Sequence, residues 1–423
     1  MSITKTMHIN RRQFLLSTAA LAASLRSSGV RSEKFYSGPY LLRIHASGGW
    51  DLSQYCDPKV NQPHLEPITN WSDEQDIKWS GNIAFAPVAN NNATFDALAS
   101  RMLVINGVDT QTNAHQTGER HTWTGASGEG RPSITALFAA ANGADLPLPM
   151  LNFGGFSATA GIIRPSIAHP GSIKGLTAQR STEESELLER YRARGLDLVT
   201  EREYRSPWAQ RKISNYRLSN QSKMQLDELH SLLPDQLENP DGTHDGSSNL
   251  KAEIQVSLLA FKSGLTASAE CSAGGNWDTH GDGEFSQLLN ITALNNGLTY
   301  LWELAESLGI AKDLTVIVSS DFGRTPWYNS YGGKDHWPIN SYLIMANNPA
   351  WGGRVVGHTD EMQNASHISP SSLQRTSSGT LIYPKHVHHA LHQYLGISEF
   401  AEETGFDFKD TELFDFFNPK LST

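Results

Sequence analysis

The sequence predicts an α/β fold, a three-layer sandwich around a mostly parallel sheet, and three observations carry that prediction. Short apolar runs recur along the chain and end in glycine or an acidic residue, as buried strands do. Between them lie segments whose apolar residues recur at three- and four-residue steps, the mark of one helix face. The chain has 423 residues, 38% hydrophobic and 18% charged, which suits one large core or two modest ones and excludes a disordered chain. Strands alternating with helices give a sheet covered on both faces.

Taken in order, the first element is an address label. "NRRQFLLSTAALAASL" sets Arg11 and Arg12 directly before Gln13, Phe14, Leu15 and Leu16, and a weakly apolar, alanine-rich stretch runs on to Arg26. This resembles a twin-arginine export signal, read here as a cleaved leader 1–34 ahead of a domain 35–423. The stretch is too short to span a bilayer, and no other apolar run reaches about twenty residues. The expectation is a periplasmic or secreted protein that uses the twin-arginine export machinery and keeps no transmembrane anchor.

Strands are predicted in "YLLRIHASGGWD" (40–51), "MLVINGVD" (102–109), "PMLNFGG" (149–155), "LTASAECSAGG" (265–275), "LTVIVSSDFG" (314–323) and "SYLIMAN" (341–347). Helices are predicted in "ATFDALA", "NLKAEIQVSLLAF" and 284–309, where Phe285, Leu288, Leu294, Leu298, Leu301 and Leu308 share a face. Residues 166–246 break the alternation with charged helical segments such as "STEESELLERYRARGLDLVTEREY" and are read as a helical insertion. In "KHVHHALHQYLGI", His386, His388, His389 and His392 are read as decorating a helix rather than binding metal. The formal net charge of −10 leaves no basic field to attract nucleic acid or acidic lipid. Cys56 and Cys271 read as a pair or as two separate thiols.

In parallel sheets functional groups gather beyond the carboxyl ends of the strands. There the chain places Asp51, His115, Asp278, His280, Asp321 and, in "GGKDHWP", His336. Carboxylate oxygen together with imidazole nitrogen suits Zn²⁺, Mn²⁺ or Fe, and a more oxygen-rich shell suits Ca²⁺ or Mg²⁺. Asp278 and His280 form an Asp-x-His tripeptide, whose alternate side chains face the same way on an extended segment. A single aspartate after a strand is also a common turn former or helix cap, so the set counts for more than any member.

"SGGWD", "WDTHGD", "SDFGRTPWYN" and "GGKDHWP", behind the twin-arginine leader, resemble an exported bacterial family catalogued as domain of unknown function 1501. That family is similar in fold to the alkaline phosphatase and sulfatase superfamily, and the resemblance spans roughly residues 38–400. It implies two divalent ions: one held by Asp51 and Asp321, the other by Asp278, His280 and His336. It also implies an anionic ester, small-molecule or polysaccharide, as substrate.

Two departures stand out. The group after Asp321 is Phe322, which cannot ligate, and His115 lies ten residues before Gly125, where sulfatases carry a Cys or Ser nucleophile. His115 then reads as the ligand that completes the ion of Asp51 and Asp321; its rivals are a nucleophilic Thr112 or Thr117, or no nucleophile. Arg324 is placed to neutralise an anionic substrate or to form a structural ion pair. A metal-dependent ester hydrolase using activated water and a non-catalytic exported binding or assembly protein both remain open.

Overall fold

The run Tyr40–Ala46 is buried at every position, Arg43 and His45 included, as befits an inner strand of a sheet covered on both faces. It is β1 of the computed structural model, which describes residues 35–177, 222–238, 250–281 and 283–420, with single helical positions at 187, 190, 191, 194 and 210. The other strands of its sheet are β2 (Met102–Asp109), β3 (Met150–Asn152), β4 (Pro165–Ile167), β5 (Ser268–Ser272), β6 (Leu314–Ser320), β7 (Ile339–Ala346) and β8 (Arg354–Val356). Their spatial order is β8-β2-β7-β6-β1-β5-β3-β4. Every pairing is parallel except those of β7, which runs antiparallel to both β2 and β6. The sheet is therefore mixed, with one reversed strand.

The helices include α1 (Asn91–Leu98), α2 (His115–Thr124), α3 (Ile134–Gly143), α4 (Pro170–Thr177), α5 (Leu250–Lys262), α6 (Gly283–Ser307), α7 (Pro384–Tyr394) and α8 (Ser398–Thr404). One apolar layer packs Phe95, Ile254, Phe261, Leu294 and Leu298 from α1, α5 and α6 against Leu42 and Ile44. The other packs Ile134, Phe138, Val387 and Leu391 from α3 and α7 against Leu41 and Ile317. Each such fully buried side chain stabilises the fold by about 1.5–3 kcal/mol relative to exposure.

The leader 1–34 lies outside the described residues, and so does most of the expected insertion 166–246. The N-terminal end of that segment joins the main sheet instead of leaving it, because β4 pairs in parallel with β3. The sheet belongs to the compact unit Tyr36–Thr423. Cys56 and Cys271 are separate buried thiols. His386, His388 and His392 lie on α7, as expected, and are buried; His388 Nε2 lies 2.9 Å from the Thr122 carbonyl.

Candidate metal centre

Register brings the strand ends level. Ala46 of β1 pairs with Ser320 of β6, and His45 pairs with Ser272 of β5, so the segments that follow emerge side by side. Gly48 sits at φ 123°, and a Cβ there would stand 2.5 Å from the Asp278 nitrogen, so the turn after β1 lies directly on the segment after β5. Because β7 is reversed, its start lies at the same edge. His336 arrives there in a short ribbon, paired opposite Arg324. Helix α2 completes the edge, with His115 in its first turn.

Three imidazoles converge on Asp278. His336 Nε2 and His280 Nε2 each lie 3.0 Å from its Oδ1, and His115 Nε2 lies 3.4 Å from its Oδ2. The two Nε2 atoms of His280 and His336 are themselves 3.0 Å apart. Ligand atoms of His115, Asp278 and His336 all fall within 4.8 Å of one another. Behind each ring stands an acceptor: Asp321 Oδ2 at 2.6 Å from His115 Nδ1, Asp335 Oδ1 at 2.8 Å from His280 Nδ1, and the Asn113 carbonyl at 2.8 Å from His336 Nδ1.

These partners fix the tautomers. A carbonyl or carboxylate only accepts, so each Nδ1 carries the hydrogen and each neutral ring turns a lone pair on Nε2 toward its neighbours. Two imidazole lone pairs and a carboxylate oxygen 3.0 Å apart repel one another unless positive charge stands between them. A tetrahedral Zn²⁺ site with bonds near 2.1 Å places its ligand atoms about 3.4 Å apart, close to these separations. The donor set of imidazole, carboxylate and outer acceptors therefore fits a divalent cation. Among the described residues there is this one cluster, where the sequence led to an expectation of two.

Electrostatics agree with that reading. Burial alone would push the Asp278 carboxyl up, but the hydrogen bond from Arg324, with its guanidinium charge, holds it well below the usual carboxylate range. Asp321 is likewise held low against its burial, chiefly by the hydrogen bond from His115, with His45 and then the Gly48 N–H adding to it. The hydrogen bond to Asp321 raises His115.

The remaining expected residues stand elsewhere. Asp51 does not meet Asp321: its Oδ1 caps the following turn through Ser53, and its Oδ2 pairs with Lys334 Nζ at 2.8 Å. The cause is position, since Asp51 lies five residues beyond β1, past the strand-end turn that faces the cluster. Asp321 contacts His115 but stands behind it, its other oxygen taken by Gly48 N and Ser320 Oγ. Arg324 is buried, and its three nitrogens donate to Gly48, Gly49, Trp277, Lys334 and Asp278, so it grips the site from below rather than facing a substrate. Thr117 is half-buried, two residues along α2, and the described contacts do not join it to the cluster. Thr112 Oγ1 accepts from the Ala114 N–H. Phe322 packs against the rings of His115 and His336 as an apolar wall.

Two supporting groups went unread in the sequence. The Asn113 carbonyl leaves no side-chain signal. Asn329 donates to the His280 carbonyl at 2.8 Å and to Asp335 at 3.0 Å, tying the loop tip to the ring it supports; its place between Arg324 and His336 was the available clue.

The fold and site define a mixed-sheet α/β protein with, among the described residues, one cluster of side chains able to hold a metal ion, at the carboxyl edge of its sheet. The chain belongs to the family described as "Protein of unknown function (DUF1501)", which matches residues 43–392. No curated protein matches it. Among solved structures it is similar to alkaline phosphatase from the Antarctic bacterium TAB5, with 10% identity and a TM-score of 0.35 over 76% of this chain and 95% of that one. It is similar to Ps i-CgsB, solved with k-i-k-neocarrahexaose, with 8% identity and a TM-score of 0.41 over 90% and 77% of the two chains. For the phosphonate monoester hydrolase of Agrobacterium radiobacter the values are 15% and 0.34, over 85% and 74%.

Proposed function

We propose that this protein is an exported, metal-dependent hydrolase of phosphate or sulfate esters, acting through water rather than a protein nucleophile. The observation that supports it most is the convergence of three imidazole Nε2 atoms on Asp278, each ring braced from behind. Export is supported by Arg11 and Arg12 in their leader. Among the described residues no helix is long and apolar enough to cross a membrane.

In this reading His115, Asp278 and His336 hold one divalent ion, and the nitrogen-rich donors favour Zn²⁺, Mn²⁺ or Fe over Ca²⁺ or Mg²⁺. When bound, the ion supplies a Lewis acid and lowers the pKa of a water toward neutrality. Asp321 and the Asn113 carbonyl aim the rings of His115 and His336. Arg324 keeps Asp278 ionised and oriented. His280, the most exposed of the three rings and backed by Asp335, is placed to take a proton from the attacking water and return it to the leaving oxygen. Phe322 excludes water from one side. Thr117 then has no chemical role.

One observation favours the second reading, an exported binding or assembly protein. His280 Nε2 is 3.0 Å from both Asp278 and His336, close enough to close the shell as a fourth ligand, and closed four-ligand sites are structural. Metal titration and a screen of aryl phosphates and sulfates with His280→Ala separate the two. The hydrolase reading predicts that the variant keeps its ion and loses turnover. Loss of the ion, with no ester turned over by the parent protein, supports the binding role instead.

A further inference from the structure

Resting on the hydrolase reading, we infer that the site selects esters carrying one negative charge over doubly charged phosphate monoesters. The charge balance around the cluster points there. Asp278 touches all three imidazoles, Asp321 touches His115 and Asp335 touches His280, and Arg324 is the guanidinium in contact with Asp278. A divalent ion together with Arg324 neutralises those three carboxylates and leaves no surplus positive charge. Glu119, one turn along α2 from His115 and half-buried, adds to the negative side.

The other cations near this edge already have partners. Lys334 is buried on Asp51 and Ser53. Arg120 pairs with Glu129 and the Ser127 carbonyl. Arg43 lies buried over Trp123, donating to Thr122 and Ser319. What remains among the described residues is the first turn of α2, whose cap residue Ala114 makes no side-chain capping bond. A helix N-terminus is equivalent to about half a positive charge. It offsets part of a monoanion and little of a dianion. With the shell balanced, the Glu119 carboxylate is left over, and one additional negative charge about 6 Å from it weakens binding by about tenfold or more at the effective dielectric of a protein surface.

Calorimetry on mature protein tests this with three probes of similar shape at pH 8: phenyl sulfate and methyl phenyl phosphate, both monoanions, and phenyl phosphate, a dianion. Zn²⁺ is titrated first, without any ester. Ion binding followed by at least tenfold tighter binding of a monoanion than of phenyl phosphate is the expected result, and the tighter of the two monoanions distinguishes a sulfate ester from a phosphodiester. Equal or tighter binding of phenyl phosphate overturns the inference while leaving the metal site standing. Failure of all three esters to bind the ion-loaded protein overturns it as well. Failure of Zn²⁺ itself to bind removes the hydrolase reading and this inference with it.

Discussion

Replacing Gly118 with alanine perturbs the metal centre without touching a ligand. A Cβ at this position would stand 2.8 Å from the Asp321 carbonyl oxygen and 2.9 Å from the Phe322 ring, where ordinary contacts begin near 3.4 Å. Neither obstacle is the far end of a flexible side chain, so α2 has to retreat by roughly 0.6 Å to restore contact distance. His115 rides on the same helix, three residues earlier, and its 2.6 Å bond to Asp321 lengthens by a similar amount, out of the charge-assisted range. Loosening the group behind a ligating imidazole typically lowers metal affinity by about 10–100-fold. Overpacking costs about 1–3 kcal/mol of stability besides. The assay is Zn²⁺ affinity by competition with a chromophoric chelator, with apo-protein melting as a control. Gly128→Ala is the matched reference, since a Cβ there meets open space. Parental affinity in Gly118→Ala would refute the claim that α2 docks His115 onto Asp321 as a support for the ion.

Two further predictions concern residues outside the cluster. Lys334→Met leaves the Asp51 carboxylate buried without its partner and should cost about 3–5 kcal/mol in urea melts, with unchanged metal stoichiometry; parental stability in the variant would contradict the pairing. Burial pushes the Glu270 carboxyl up to about 7 despite hydrogen bonds from Thr135, Ser133 and Asn152. The folded pKa is raised, so the stability it contributes is full below the unfolded value near 4.5 and is lost as pH rises through about 7. Between those limits Glu270→Gln should lose about 3 kcal/mol less than the parent protein; parallel stability profiles for the two would contradict the raised value.

The strands were legible because their apolar runs are buried on both faces and leave almost unbroken hydrophobic stretches, as in Leu314–Ser320 and Ile339–Ala346. The reversed direction of β7 was not, since direction is set by pairing partners rather than by composition. Five of the six expected metal ligands gather at one edge because register, which residue types do not reveal, levels β1, β5 and β6. What each of the five does was beyond the sequence. Asp321 and Asp278 both follow apolar strands, yet one faces the back of a ring and the other its lone pair. Asp51 and Arg324 read as chemistry because charged residues stand out in a sequence. In the fold, Lys334 and a ring of backbone carbonyls account for them.

The most direct measurement is the number of divalent ions bound per chain by equilibrium dialysis, for the parent protein and for Asp278→Ala with its fold checked by circular dichroism. The arrangement of His115, Asp278 and His336 predicts one equivalent, abolished in the folded variant. A folded parent protein that binds no ion, or a variant that binds as well as its parent, would contradict it.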